Sequence, residues 1–186
     1  PNFIEINKVK IDFSKKENVI LAAGRIAPVK QFDILLKAWA NIVTEFPKWQ
    51  LKIYGDGDEL LREKLNKYLI ELNIQNQTTI YKATNDLDTI MKNSKIFALS
   101  SKTECFPMVL LEAKSNGLVC ISFNCPHGPK NIIEDSIDGV LVNDQDIIDF
   151  SFKLKNLLVD NENIIQKSEK ARENVFKLHT NQIMKS

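Results

Sequence analysis

The sequence predicts a doubly wound α/β domain, with a parallel sheet of about six strands and helices on both faces. Two observations carry this expectation. Short apolar runs alternate with amphipathic helical stretches about every 25–30 residues along the 186-residue chain. The first of these runs, Asn18 to Ala23, is too short for a helix and bounded by Gly24, and reads as a strand buried on both faces. A third observation is that no internal repeat, low-complexity stretch or linker interrupts the alternation. Short connections between such units imply right-handed crossovers in one sheet.

The elements follow in order. Asn18-Val-Ile-Leu-Ala-Ala23, closed by Gly24, is the first strand. Phe32, Leu35, Leu36, Trp39, Ile42, Val43 and Phe46 recur at helical spacing and predict one amphipathic helix ending before Pro47. Trp49 to Tyr54 is the second strand. Gly55-Asp56-Gly57 then turns into a helix that carries Leu61, Leu65, Tyr68 and Leu72 on one face. Thr78 to Tyr81 is the third strand, Leu87 to Met91 a short helix, and Ile96 to Leu99 the fourth strand. A helix from Pro107 to Ser115 stops at Asn116-Gly117. Leu118 to Ser122 and Val140 to Val142 are the fifth and sixth strands. Two helices close the chain, Ile147 to Leu158 and one marked by Ile164, Ser168, Ala171, Val175 and Leu178. Phe3, Ile4, Ile6, Val9, Ile11 and Phe13 alternate weakly and define no element type.

Composition narrows the class. The chain has 44% apolar and 26% charged residues, and its 25 Lys and Arg against 24 Asp and Glu leave a net charge of +1. This is an ordinary soluble composition for one domain, large enough to bury roughly 70% of its unfolded surface without disulfides or metal. Near-neutral charge gives no sequence-wide pull toward nucleic acid. No apolar run reaches the ~18 residues of a membrane helix. Cys105, Cys120 and Cys125 are an odd number without CxxC spacing, which reads as reduced thiols in a cytoplasmic protein. No zinc spacing and no Ser–His–Asp order is present. The chain opens Pro1-Asn2 without Met and reads as a piece of a longer protein.

In open parallel sheets, ligands bind beyond the carboxyl ends of the strands, where loops meet helix N-termini. Three such turns carry polar residues. In Gly24-Arg25-Ile-Ala-Pro-Val-Lys30 two cations sit at one strand end, a forked guanidinium and a point charge, as suits a pyrophosphate. The alternative is two solvated loop charges. In Ser100 to Glu112, Pro107 suits the first turn of a helix, so that Met108 and Val109 offer N–H groups to an anion. Glu112 lies one turn beyond Met108, deeper beside an apolar stretch, where a carboxylate can accept from two vicinal hydroxyls such as those of ribose. Glu104 precedes this helix and points to the cleft. An acidic start that complements the helix dipole explains Glu104 as well. Asn124-Cys-Pro-His127-Gly-Pro129 is a stiff loop with His127 at its tip, where a solvated side chain is the plainer reading. His179, on the last helix, has no such setting, and Gly55-Asp56-Gly57 alone is too short to be a dinucleotide fingerprint.

Together these turns resemble the C-terminal, nucleotide-sugar-binding half of GT-B glycosyltransferases of the retaining family 4, over about Asn18 to Leu178. Glu104-Cys-Phe-Pro-Met-Val-Leu-Leu-Glu112 resembles that family's E-x7-E element, with Cys105 in place of its usual glycine. Gly24-Arg25 with Lys30 resembles its phosphate loop, Gly55-Asp56-Gly57 its GxGp turn, and Asp138-Gly139-Val-Leu-Val142 its NGxLV strand. Cys125-Pro-His-Gly-Pro129 resembles the CPxGP loop of a subgroup that uses UDP-hexoses or UDP-N-acetylhexosamines. The fold implied is a Rossmann-like half of a GT-B enzyme, with residues 1–186 as a single donor-binding domain and the N-terminal acceptor domain absent from the chain.

The resemblance also implies roles. Arg25 and Lys30 hold the diphosphate, helped by the N–H groups of Met108 and Val109. Glu112 takes the ribose, and the base lies near Tyr81 and Lys82. Glu104 meets the donor hexose beside Phe106, Pro107 and His127. The donor is a substrate, and neither a cofactor nor an obligatory metal is implied. The acceptor is a glycan or a lipid-linked acceptor, which makes the full-length protein cytoplasmic or peripheral to the inner face of the membrane. Alone, this half is expected to be almost inactive, because transfer needs both substrates held in line. Two rivals remain at this point: a sugar-nucleotide 2-epimerase half, and a non-catalytic α/β binding module.

Overall fold

A computed structural model describes the backbone of residues 12–183 and the side chains of residues 12–176. The weak alternation from Phe3 to Ile11 and the side chains of Leu178 and His179 lie outside the described residues. Six strands, β1 (Glu17–Ala23), β2 (Gln50–Tyr54), β3 (Thr78–Tyr81), β4 (Ser94–Leu99), β5 (Val119–Phe123) and β6 (Gly139–Val142), form one sheet. Its order is β3-β2-β1-β4-β5-β6, and every neighbouring pair is parallel. The helices are α1 (Phe32–Ala40), α2 (Glu59–Glu71), α3 (Leu87–Asn93), α4 (Met108–Ser115), α5 (Ile147–Val159) and α6 (Asn161–Ile183).

Strand periodicity divides the core in two. Ile20 and Ala22 of β1 face a cluster with Leu36 and Trp39 of α1, Leu65 of α2 and Phe150 and Leu154 of α5. Val19, Leu21 and Ala23 face a second cluster with Met91 of α3, Leu110 and Ala113 of α4 and Val175 of α6. Both faces of the sheet are covered, so the central strands β1, β4 and β5 read as continuous apolar runs, while β2 and β3 toward one edge alternate.

Two helices differ from expectation. The helix predicted over 32–46 stops at Ala40, and a 3-10 turn at Val43–Glu45 follows. Asn41, Ile42 and Val43 are poor helix formers, two of them β-branched, and the tighter turn still buries Val43. On α2 the buried residues are Arg62, Leu65 and Leu69. Leu61, Tyr68 and Leu72 pack only at the cluster's edge.

Buried cations hold helix ends and loops in place. The Lys16 ammonium donates to the carbonyls of Met91, Lys92, Ser94 and Asn116 at 2.7–3.2 Å. It thereby joins the C-terminal ends of α3 and α4, where the helix dipoles favour a cation. Lys114, wholly buried on α4, pairs with the equally buried Asp138 at 2.6 Å and donates to Ile132 O at 2.5 Å. Asp138 also accepts from Glu134 N–H at 2.9 Å and from Asn174 Nδ2 at 2.7 Å. This pair fixes α4 to the segment that enters β6. Asp138→Ala leaves the ammonium buried without its counter-charge and is expected to cost about 3–5 kcal/mol in urea denaturation. A loss below about 1 kcal/mol would show that water relieves the charge.

Candidate functional site

The strand order reverses between β1 and β4, and the loops after those strands leave the sheet in opposite directions. Ligands of open α/β sheets bind in the crevice this opens. The loop after β1 carries Arg25 and Lys30, and the loop after β4 carries Glu104 and leads into α4. They are bonded to one another. Ser100 Oγ donates to Lys30 O at 2.8 Å, and Lys102 N–H donates to Val29 O at 2.9 Å.

Gly55-Asp56-Gly57 supports the Arg25 loop from below. Gly24 N–H donates to Tyr54 O at 3.0 Å, Ile26 N–H to Asp56 O at 2.8 Å, and Asp58 N–H to Ile26 O at 3.0 Å. A Cβ on Gly55 would collide with the Gly24 carbonyl, so the close approach requires glycine there. The third loop joins the same wall. Gly128 has φ +95°, and a Cβ on it would come within 2.6 Å of Pro107 Cδ and 3.3 Å of Cys105 O.

The structure brings Lys30 and Glu104 into direct contact. Their charged groups are 2.6 Å apart, with side chains only 23% and 12% exposed. The two residues expected to serve phosphate and hexose separately thus form one ion pair, with Arg25 exposed on the same loop as Lys30. Pro107 does not lie in the first turn of α4. Its ψ of 87° makes it the N-cap, and Met108 is the first helical residue. No side chain caps this helix. The N–H groups of Met108 and Val109 precede the first intrahelical bond and remain available to a ligand.

Glu112, expected to lie deep, is exposed between buried Leu111 and Ala113. Its neighbourhood is nonetheless partly dry. Burial pushes its carboxyl above the ordinary carboxylate range, and the charge of Asp88 on α3 adds to this. Asn116 joins the two helices, donating to Asp88 Oδ1 at 2.9 Å and to Glu112 O at 3.1 Å.

Tyr81, 38% exposed, stacks on Tyr54 with ring centroids 4.6 Å apart and planes 16° from parallel. Tyr54 packs on the cluster beneath α3 and α4, so the pair stands on the same face of the sheet as Glu112. Lys82, Phe106 and His127 are exposed, and His127 has φ +62°. Among the described residues no group of three or more His, Cys, Asp and Glu is arranged to hold a metal ion, and no helix is long and apolar enough to cross a membrane. Sequence reasoning missed Arg62, Lys114 and Asp88. A basic residue three positions before Leu65 on a core-facing stripe was the available signal for Arg62.

A basic loop, an uncapped helix N-terminus and a Lys–Glu pair thus lie at the switch point of a Rossmann-like sheet, where open α/β sheets bind their ligands. The chain belongs to the glycosyl transferases group 1 family, whose sequence profile matches residues 3–177. It is 36% identical over 165 residues to an uncharacterized glycosyltransferase of Haemophilus influenzae, covering 88% of this chain and 46% of that protein. It is 36% identical over 155 residues to the amylovoran biosynthesis glycosyltransferase AmsD of Erwinia amylovora, covering 82% and 42%. Its fold matches that of a variant of TarM from Staphylococcus aureus, crystallised with fondaparinux, α-GlcNAc-glycerol and UDP. The TM-score is 0.90 at 23% identity, covering 99% of this chain and 37% of the other. The chain thus spans less than half the length of each of these proteins.

The thiols give a direct check on the site's geometry. Cys105 is exposed beside Glu104, whereas Cys120 and Cys125 are buried. Burial pushes the Cys120 thiol up to about 12 and that of Cys125 up to about 11. Titration with a chromogenic disulfide at pH 8 should release one equivalent quickly from the folded chain and three in denaturant. Three fast equivalents would contradict the burial of β5 and the loop after it.

Proposed function

We propose that this chain is the donor-binding, C-terminal half of a retaining GT-B glycosyltransferase of family 4. The donor is a UDP-hexose or UDP-N-acetylhexosamine. The acceptor, a glycan or a lipid-linked acceptor, is held by an N-terminal domain outside this chain, in a protein that is cytoplasmic or peripheral to the inner face of the membrane. The observation that carries this reading is the Lys30–Glu104 ion pair at the β1/β4 switch point, on loops that also carry the exposed Arg25 and lead into the uncapped α4 N-terminus. The family assignment supports it, and so does the UDP in the TarM structure.

In this reading the diphosphate lies between Arg25, Lys30 and the N–H groups of Met108 and Val109. Glu112 accepts from the ribose hydroxyls, and the base packs against Tyr81 and Lys82. An aromatic face exposed at a strand end is what a nucleobase stacks on. The hexose then projects toward Glu104, with Phe106, Pro107 and His127 around it. As the bond to the diphosphate breaks, negative charge grows on the leaving group, where Arg25, Lys30 and the helix N-terminus already converge. Positive charge grows on the sugar next to the Glu104 carboxylate. Retention follows when the acceptor attacks the face from which the diphosphate departs.

Calorimetric titration should show saturable UDP binding by this chain. Arg25→Ala and Lys30→Ala should each weaken it by roughly 1.5–3 kcal/mol, as loss of a charge-assisted bond does. Glu112→Gln should weaken UDP and leave inorganic pyrophosphate nearly unaffected. No saturable heat would favour a binding module of another kind, and unchanged affinity in both cation variants would remove the phosphate assignment.

The Glu104 role is tested in the two-domain protein. Glu104→Gln should lower kcat by roughly 10²-fold, equivalent to about 2.7 kcal/mol. UDP affinity should be retained or strengthened, because Lys30 loses its competing counter-charge. Normal turnover would refute the role.

A further inference from the structure

Arg62 is 8% exposed, on a helix whose other charged residues face water. Its guanidinium lies across the carboxyl ends of β2 and β3. Nη2 donates to Gly55 O, and Nη1 donates to Tyr81 O at 3.2 Å. Tyr81 O also accepts the Gly55 N–H at 3.2 Å. Asp56 Oδ1 lies 3.5 Å from Nη2 and accepts the Ala83 N–H at 3.1 Å. Glu59 lies 3.4 Å from Nε. One planar cation and one carboxylate therefore set three main-chain positions, Gly55, Tyr81 and Ala83, where the chain leaves the sheet.

Burying a guanidinium is costly, and an apolar side chain would fill the core face of α2 at less expense. What an apolar side chain cannot supply is a rigid fork of donors spaced to meet two carbonyls. The carbonyls it meets are not core groups. They belong to the turn that supports the Arg25 loop and to the last residue of β3, where the chain leaves the sheet. The turn's bonds to the Arg25 loop run through Asp56 O and the Asp58 N–H, atoms that the Arg62 guanidinium does not bond. The segment after β3 is held through Tyr81 O and Ala83 N–H, which Arg62 and Asp56 do touch.

We propose that Arg62 is a positioning residue for nucleobase recognition, fixing the Tyr81–Ala83 segment through the Tyr81 carbonyl and, with Asp56, through the Ala83 N–H. This rests on the donor reading above, in which the base packs against Tyr81 and Lys82. The diphosphate pocket does not depend on Arg62. A loss of Arg62 thus separates affinity for the nucleotide from affinity for its phosphates.

The test titrates UDP and inorganic pyrophosphate separately into the parent chain and into Arg62→Met, Arg62→Lys and Asp56→Ala. In Arg62→Met, UDP should weaken about tenfold, while pyrophosphate stays within about twofold of the parent. Arg62→Lys, which keeps a donor for one carbonyl, should fall between the parent and Arg62→Met. Asp56→Ala removes an exposed side chain and leaves the core intact, and should shift the ratio in the same direction. If Arg62→Met does not fold, Asp56→Ala decides. Parallel loss of both ligands, or a parental UDP-to-pyrophosphate ratio in Arg62→Met and Asp56→Ala, would overturn the inference. A parent that binds neither ligand would overturn the donor reading itself.

Discussion

The connections after β1 and β4 leave neighbouring strands toward opposite faces of the sheet, and the site depends on that divergence. Two parallel strands joined by right-handed crossovers cannot bring both following loops over the same helix layer once the strand order reverses. The gap between the loops is therefore set by topology. What the side chains decide is how far the gap stays open and what lines it. Ser100 and Lys102 bond the two loops at their roots, and Lys30 and Glu104 meet across the gap above them. The Gly55 turn lets the Arg25 loop lie directly against it, main chain on main chain.

A common device fixes segments at both ends of the sheet. Lys16, Arg62 and Lys114 are all buried cations, and each donates to main-chain carbonyls. Lys16 joins the ends of two helices, Lys114 joins a helix to the segment entering β6, and Arg62 joins two strand ends. Each carries a desolvation cost of several kcal/mol, which the bonds and dipoles only partly offset. Such groups are poor sources of stability and good sources of definition, since the segment they hold has one arrangement that satisfies the charge. Arg62 holds segments at the carboxyl ends of the strands, on the side of the crevice, whereas Lys16 and Lys114 hold segments at the amino ends.

Much of this was legible in the sequence, for identifiable reasons. Strands buried on both faces must be short continuous apolar runs, so β1, β4 and β5 were read within a residue or two. The polar turns were visible because glycines, prolines and charges interrupt those runs. The end of α1 was misread because Trp39, Ile42, Val43 and Phe46 keep a helical period whether the backbone is α or 3-10. The depth of Glu112 was misread because apolar neighbours do not say which way one side chain points. The Lys114–Asp138 and Lys30–Glu104 pairs could not be read at all. Their members are 24 and 74 positions apart, and only the folded crossovers bring them together.

The Lys30–Glu104 pair also bears on how donor affinity and catalysis divide in the proposed complex. A carboxylate within hydrogen-bond distance of the ammonium that is to hold a diphosphate weakens ground-state binding, because like charges then face each other in a partly dry crevice. A site built only to bind UDP would place a neutral donor there. Charge redistributes as the glycosidic bond breaks. The sugar turns positive beside Glu104, and the added negative charge moves onto oxygens nearer Lys30, Arg25 and the α4 N-terminus. The repulsion between Glu104 and the leaving group does not vanish. Glu104 nonetheless gains an attraction to the sugar, and Lys30, Arg25 and the helix N-terminus pull harder on the leaving oxygens. Only interactions that strengthen in this way raise kcat. In the proposed complex the pair therefore acts more on the transition state than on the bound nucleotide, and the cost it imposes on ground-state binding is the counterpart of that role.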